Sequence, residues 1–531
     1  MSEFEWPSGW ATTTVGEIRR SKLGGIDPAQ FGDEKFESYS VPAHAVRAPE
    51  VISGNLIGSA KQLVEPGCVL LCKINPRINR VWVVSERATY RQIASTEWIA
   101  FPRLKGLEPR FLGHFLGREQ VRKHLATNVS GVGGSLMRVR PVVVDAISIP
   151  IAPSDEQRRI ADKLDEIFSD LDAGDASLQR AQAKLKRYRA SVLKAAVEGR
   201  LTADWRQANP PAQTGTDLLA RLLRERRGRW EAAQLAKFEA SGKAAPKDWR
   251  KKYVEPAAPD TSKLPALPAG WCWASAETLC GFITKGTTPD RSQRRGASDI
   301  DAVPFVRVTN LTTSGQLDAA DLVFVSRSAH ESELGRSLVL PGDVLMNIVG
   351  PPLGQVSIVP ASYSQWNMNQ AVAVFRPVAG MDVAFFCSFL LSHTAQTWLG
   401  ERAKTSAGQV NLTLELCRAL PVPVPPIAEQ CAISRLVENA DAATVRSVAA
   451  VEQGLIRSRA LRQATLEHAF AGKLVPQDPN DEPAAVLLDR IRSAHAAAHA
   501  KPREPRRPTA KSRAAKTATV ARPSRKRRGS V

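Results

Sequence analysis

The chain has 531 residues, enough for about three or four domains, and its 43% hydrophobic and 24% charged residues give the balance of a globular protein. No apolar run approaches the roughly 20 residues that a membrane-crossing helix needs. The acidic start Met-Ser-Glu-Phe-Glu-Trp-Pro7 also lacks the basic and apolar regions of a secretory signal, so a cytoplasmic protein with no membrane partner is expected. The formal charge of +20 is uneven: Lys501–Val531 holds twelve Lys or Arg against Glu504 alone, leaving +11 on this tail and +9 on the other 500 residues. A Lys/Arg/Pro/Ala-rich tail buries too little apolar surface to fold and reads as disordered. It would raise nonspecific DNA affinity through phosphate contacts without supplying sequence specificity. Of the seven cysteines only Cys68 and Cys72 lie close together, and no second pair follows at zinc-site spacing. Reduced, mostly buried thiols and no metal are expected.

Residues 1–150 read as a mixed α/β module, with short apolar strands at Val69–Ile74 and Val81–Ser85 and a helix at Arg110–Leu125. Residues 151–201 read as one long helix, opened after Pro153 by Ser154 or Asp155 as cap and closed by Gly199. Its seam runs Ile160, Leu164, Ile167, Leu171, Gly174, Leu178, Ala181, Leu185, Tyr188, Val192 and Ala195, in the alternating steps of four and three that mark a coiled coil. The small residues at 174 and 181 suggest close approach of a partner helix or a weak point. Residues 202–264 form a polar connection with one Arg/Glu-rich helix, Asp217–Ala240.

Residues 265–425 read as a second mixed module, with strands at Pro304–Val308, Val344–Ile348, Val356–Val359 and Ala371–Phe375 and a helix at Val383–Leu399. Residues 426–474 read as a second long helix with a looser seam through Ile433, Val437, Ala440, Val448, Val451 and Leu455, and residues 475–531 as a basic, largely disordered tail. The halves are repeats. Pro150, Pro153 and Gln157 match Pro423, Pro426 and Gln430 at an offset of 273, and Leu193–Leu201 matches Leu466–Leu474 at the same offset. Upstream the offset drifts: Pro7-Ser-Gly-Trp10 matches Pro268-Ala-Gly-Trp271 at 261, and Pro66-Gly67 matches Pro341-Gly342 at 275. Each half is therefore a module of variable length followed by a rod of fixed length. Each rod has one apolar stripe, which predicts that the two rods pair as an antiparallel coiled coil.

This order resembles the specificity (S) subunit of Type I restriction-modification systems. The resemblance rests on Pro66-Gly-Cys-Val-Leu-Leu-Cys-Lys-Ile-Asn-Pro-Arg-Ile-Asn-Arg-Val-Trp82, Ser95-Thr-Glu-Trp98, Lys285-Gly-Thr-Thr-Pro289, Pro304-Phe-Val-Arg-Val-Thr-Asn310, Asn367-Met-Asn-Gln370, Ser406-Ala-Gly-Gln-Val-Asn-Leu412 and the junction Leu201-Thr-Ala-Asp-Trp205, and covers roughly residues 5–490. It implies a noncatalytic subunit in which each module is a target recognition domain reading half of a bipartite site in double-stranded DNA. The helices would set the gap and dock two modification (M) subunits, with restriction (R) subunits joining for cleavage. It implies no cofactor on this chain: S-adenosylmethionine belongs to the M subunits, which methylate adenine, and ATP with magnesium to the R subunits. Because the modules differ, the expected site is asymmetric.

A base reader needs Arg for guanine and Asn or Gln for adenine on loops that enter a groove. In the first module Lys73, Asn75, Arg77, Asn79 and Arg80 form an alternating polar run around Pro76, and Ser135 and Arg138 flank Gly131-Val-Gly-Gly134. In the second the candidates are Lys285, Thr287, Thr288, Arg307, Asn310, Gln409 and Asn411. The helix-pairing set is Ile160, Leu164, Ile167, Leu171, Leu178, Leu185, Val192, Ile433, Val437, Val451 and Leu455. No catalytic residue is assigned. The Asn/Asp-Pro-Pro-aromatic string of an amino-methyltransferase is approached only by Asn209-Pro-Pro-Ala212, which lacks the aromatic that stacks a flipped base. Two other readings stay open at this point: a self-sufficient methyltransferase with a divergent site, and a DNA-binding regulator that joins no enzyme.

Overall fold

The computed structural model describes residues 6–19, 23–130, 137–350, 353–406 and 409–500. The fold is mixed α/β. Its main helices are α1 (Pro109–Leu116), α2 (Ser154–Val197), α3 (Gly215–Ala240), α4 (Val383–Leu391), α5 (Ile427–Phe470) and α6 (Ala484–Ala500). Two compact units divide the chain, one reaching Ala173 and resuming at Arg457, the other running from Gly174 to Ile456. Each unit thus contains a module, the beginning of the helix that comes after it, and the end of the other long helix.

In the first unit a five-stranded sheet orders Gly25–Ile26, Lys61–Leu63, Arg91–Ser95, Lys35–Tyr39 and Glu50–Ser53, and a three-stranded antiparallel sheet centres on Val69–Cys72. The apolar faces of Val69, Leu71, Ile99 and Phe101 pack on Phe111 and Phe115 of α1. The same cluster takes in Ile160 and Leu164 of α2 and Leu466, Ala469 and Phe470 of α5. The second unit repeats the plan. A five-stranded sheet orders Cys280–Lys285, Val372–Pro377, Val344–Asn347, Val356–Ile358 and Gly315–Gln316, beside a four-stranded sheet that includes Arg294–Arg295 and Ala302–Val306. Phe385, Phe386 and Phe389 of α4 fill its core with Leu193 and Val197 of α2 and Ile433 and Val437 of α5.

The repeated motifs are joints at the base of each module. Trp10 Nε1 donates to Glu156 (3.0 Å) and Trp271 Nε1 to Glu429 (2.9 Å). Gln157 accepts from the Glu108 amide (2.9 Å) and donates to the Ala152 carbonyl (2.7 Å). Gln430 accepts from the Asp382 amide and donates to Pro425, both at 2.9 Å. The Gln of each pair therefore ties the first turn of its long helix to the turn before α1 or α4, while the Glu holds the Trp. Strand Ala11–Thr14 pairs antiparallel with Ser148–Ile151, and Cys272–Ser275 with Pro421–Val424. The helix-ending glycines adopt left-handed backbone, φ +70° at Gly199 and +68° at Gly472. A Cβ there would lie 2.5 Å from Pro268 and 2.1 Å from Pro7, so the Pro-x-Gly-Trp motif seats against these stops.

Each long helix has 44 residues, about 65 Å at 1.5 Å per residue. They run antiparallel in each unit taken by itself. In the second unit Leu178 meets Gly454, where an added Cβ would come within 2.9 Å of it, and Arg189 pairs with Asp441 at 2.8 Å. In the first unit Arg462 pairs with Asp172 at 2.6 Å while Leu164 shares its cluster with Leu466. Ile160, Leu164, Ile433, Val437 and Val451 are buried, and Ile167, Leu171, Leu178, Leu185, Val192 and Leu455 are half-buried.

The structure departs from the sequence expectations at several points. A Cβ at Gly174 would meet open space, so the close helix approach falls at Gly454 instead, and Tyr188 is 52% exposed, off the seam. Each expected module helix is two. Gly117 ends α1 before Glu119–Thr127, and Ser392 ends α4 and caps His393–Arg402 by accepting from the Ala395 amide. The segment expected to be tail from residue 475 contains α6, with Ala484, Leu487, Leu488 and Ile491 buried in the first unit. Residues 501–531, where most of the tail charge lies, fall outside the described residues.

Candidate nucleic-acid interface

In the first module the loop between strands Val69–Cys72 and Val81–Val83 carries Lys73 to Arg80. Asn75 and Asn79 both take left-handed backbone, φ +50° and +47°, on either side of the 3-10 turn Pro76–Ile78. Asparagine tolerates this region better than other side chains. The turn is pinned: the Asn75 amide donates to the Met137 carbonyl (2.8 Å), Asn79 Nδ2 to Leu116 (2.9 Å), and Arg122 to the Arg77 carbonyl (3.2 Å). Pro76 is buried, whereas Arg77 and Ile78 project into solvent.

Ile74 bridges to Arg138, and the Val139 amide donates to Lys73, which brings Arg138 beside the loop. Arg138 pairs with Glu97 at 3.1 Å, and that hydrogen bond, with Lys73 nearby, pulls the Glu97 carboxyl down. Of the candidates here, Lys73, Asn75, Arg77, Arg80 and Arg138 thus share one surface. The Asn79 side chain is committed to the end of α1, and Ser135 lies outside the described residues.

Two residues not anticipated from sequence join this surface. Burial lowers the His44 pKa, and the neighbouring Arg47 and Arg80 charges lower it further, which places all three together. Arg47 is exposed with φ +54°. His44 and Arg47 border a cleft of about 840 Å³ that Arg110, His114, Asp165, Asp172 and Arg462 also line. Little in the string Ala43-His-Ala-Val-Arg47 distinguishes it from an ordinary loop.

In the second module Lys285 is exposed at the end of its strand. The turn beyond it is bolted to the 367–370 loop: Thr287 donates its amide to Met368, and Thr288 hydrogen-bonds Gln370. A Cβ at Gly286 would lie 2.1 Å from the Met368 carbonyl, so this approach requires glycine. Arg336 donates to Thr287 Oγ1 (2.9 Å). Asp290 accepts from the Ser292 amide (2.9 Å) and shapes a turn that presents Arg291 and Arg294, both exposed and without an ion pair among the described residues. The run Asp290-Arg-Ser-Gln-Arg-Arg-Gly296 is a charge cluster legible in the sequence, yet it is not among the candidates drawn from it.

Arg307 and Asn310 build a turn that starts beside the 367–370 loop, where the Asn369 amide donates to the Val306 carbonyl. Asn310 is 2% exposed, accepts from the Arg307 amide and donates to the Asp318 carbonyl, and Arg307 pairs with Asp321 at 2.8 Å. Asn367 is fully buried against His330. Asn411 sits in a strand pairing with Val349 and Lys404, and the Gln409 side chain lies outside the described residues.

Among the described residues no group of three or more His, Cys, Asp or Glu could hold a metal, and no helix is long and apolar enough to cross a membrane. The cysteines are free, and burial pushes the Cys68, Cys387 and Cys417 thiols up to about 12, far from the reactive thiolate range.

Fold and surface together define a class: a protein of two inequivalent α/β modules on antiparallel helices, each module bearing cationic loops with hydrogen-bonding side chains. No family model matches the chain. It is 29% identical over 364 residues to the Type I restriction enzyme EcoBI specificity subunit of Escherichia coli, a match spanning 66% of this chain and 65% of that one. With the EcoDI specificity subunit of Escherichia coli it shares 23% identity over 520 residues, 94% of this chain and 98% of the relative. A solved chain from work on complex assembly and conformational transition of the Type I R-M system has the same fold, at TM-score 0.62 and 17% identity over 89% of this chain and 100% of that one. The chain is thus related, along nearly its whole length, to the specificity subunits of Type I restriction enzymes.

Proposed function

We propose that the chain is the noncatalytic DNA-specificity subunit of a Type I restriction-modification complex. Each module reads one half of a bipartite, asymmetric site, and the antiparallel helices set the gap between the halves. Two M subunits, bearing S-adenosylmethionine, dock on the chain and methylate adenine within the site. R subunits with ATP and magnesium add cleavage.

The observation that carries this reading is the pairing of two unlike cationic surfaces with one repeated joint. Rigid Glu-Gln and Trp-Glu contacts root both modules on helices of equal length, while the loops above them differ residue by residue. Arg77, Arg80, Arg291 and Arg294 suit guanine edges and phosphates. The test is to combine the purified chain with its cognate M subunits, S-adenosylmethionine and genomic DNA, then map the methylated adenines. One split motif that neither component methylates alone is expected. Methylation by the chain alone, or by the M subunits alone at the same motif, would overturn the proposal.

A further inference from the structure

The repeat runs further than its proline and glutamine landmarks. Leu218 and Leu222 of α3 and Leu487 and Ile491 of α6 are buried at a common offset of 269. Leu218 lies over Gly380 as Leu487 lies over Gly106. Each half therefore continues past its long helix into a shorter one with the same seating. In both copies the chain then turns cationic: beyond α6 come the twelve basic residues of Lys501–Val531, and beyond Leu222 comes an arm that the structure describes.

The base of the arm is fixed where Arg226 donates to the carbonyls of Glu277 (2.9 Å) and Cys280 (3.0 Å). Past that point the helix and the returning segment 243–253 make their own small core. Trp230 stacks on Trp249 with centroids 5.7 Å apart, Tyr253 closes on Trp230 at 5.4 Å, and Phe238 meets Trp249 at 6.0 Å. Trp249 is 7% exposed.

Around this core, Arg224 to Lys252 holds ten Lys or Arg against Glu225, Glu231, Glu239 and Asp248, a net +6. Glu231 is used by Arg227 and Arg250, and Asp248 by Lys251. Arg224, Lys237, Lys243, Lys247 and Lys252 are exposed and have no ion pair among the described residues. An aromatic lock that holds unneutralised cations on a short rigid arm keeps their mutual repulsion in the free protein. A polyanion relieves that repulsion, and little ordering entropy opposes binding because the arm is already folded.

We propose that the arm Arg224–Lys252 grips the phosphate backbone of duplex DNA without reading bases. The proposal rests on the functional reading above only in taking DNA as the polyanion. The test uses the full chain and a random-sequence duplex, titrated by fluorescence anisotropy at several salt concentrations. Replacing Arg224, Lys237, Lys243, Lys247 and Lys252 with Gln is expected to lower affinity by about tenfold or more at low salt. The slope of log K against log salt should shrink by about one for each phosphate the arm no longer neutralises. A companion variant with each of the four lysines as Arg and Arg224→Lys keeps the charge and should retain the original slope, which separates removal of charge from failure to fold.

Unchanged affinity and slope in the Gln variant would overturn the proposal. So would an unchanged DNA slope with loss of co-purifying M subunit, which would assign the arm to a protein surface. Because the duplex carries no target site, failure of the specificity reading would appear separately, as absence of a methylation motif.

Discussion

The two modules are alike at the base and unlike at the tip. Trp10–Glu156 and Trp271–Glu429, Gln157 and Gln430, and Pro7 on Gly472 and Pro268 on Gly199 are the same joints made twice. Above them, one module exposes a turn held by two left-handed asparagines, and the other a strip built on Gly286 and Asp290. In the proposed function this difference separates two jobs: joints fix where a module stands, and loops fix what it touches.

Even the joints are not energetically equal, and this gives the largest expected effect. Glu429, 1% exposed, accepts from Trp271, Thr202 (2.6 Å) and the charged Arg206 (2.7 Å). Glu156, equally buried, accepts among the described residues only from the neutral donors Trp10 and Gln477, and burial pushes its carboxyl up. Glu429→Ala takes the carboxylate from the Arg206 guanidinium and should cost about 3–5 kcal/mol, whereas Glu156→Ala should cost about 1–3 kcal/mol. Urea unfolding of both variants checks this, and equal losses would break the distinction.

At the tips the effects should be smaller but confined to one half-site. Arg77→Ala should relax base preference in the first module's half by about 1–3 kcal/mol, and Arg291→Ala with Arg294→Ala should weaken the second module's half by a similar amount. Methylation of duplexes altered in one half-site at a time reads both. If Arg77→Ala relaxed both halves together, the division between modules would fail. The smallest contrast lies in the helices. Gly174→Ala, into open space, should stabilise by about 0.5–1 kcal/mol. Gly454→Ala should gain less, because its methyl must displace Leu178. Thermal melts order the pair.

Much of the scaffold was legible because its joints use residues with fixed geometric roles. Proline, glycine, Trp and the Glu-Gln pair must recur at set spacing where the same contacts are built twice, so an offset of 273 was visible without any structure. Helix α6 was missed because the charge and proline content of residues 475–531 outweighed the helical spacing of Ala484, Leu487, Leu488 and Ile491, whose buried partners come from distant sequence. The candidate surfaces were legible only in part. Alternating polarity located Lys73 to Arg80, but nothing local tells an exposed arginine such as Arg291 from one that closes a turn, such as Arg307. Asn310 has the composition of a reader and the burial of a brace.

In the proposed function the helix pair is the spacer, and lengthening it tests that directly. One heptad inserted after Leu178 in α2 and another after Gly454 in α5, at positions that face each other, preserves the seam and adds roughly 10 Å, about three base pairs. Adenine methylation mapped with the M subunits present should show the same bases in each half-site and a gap longer by about that amount. Changed bases with an unchanged gap would contradict the account.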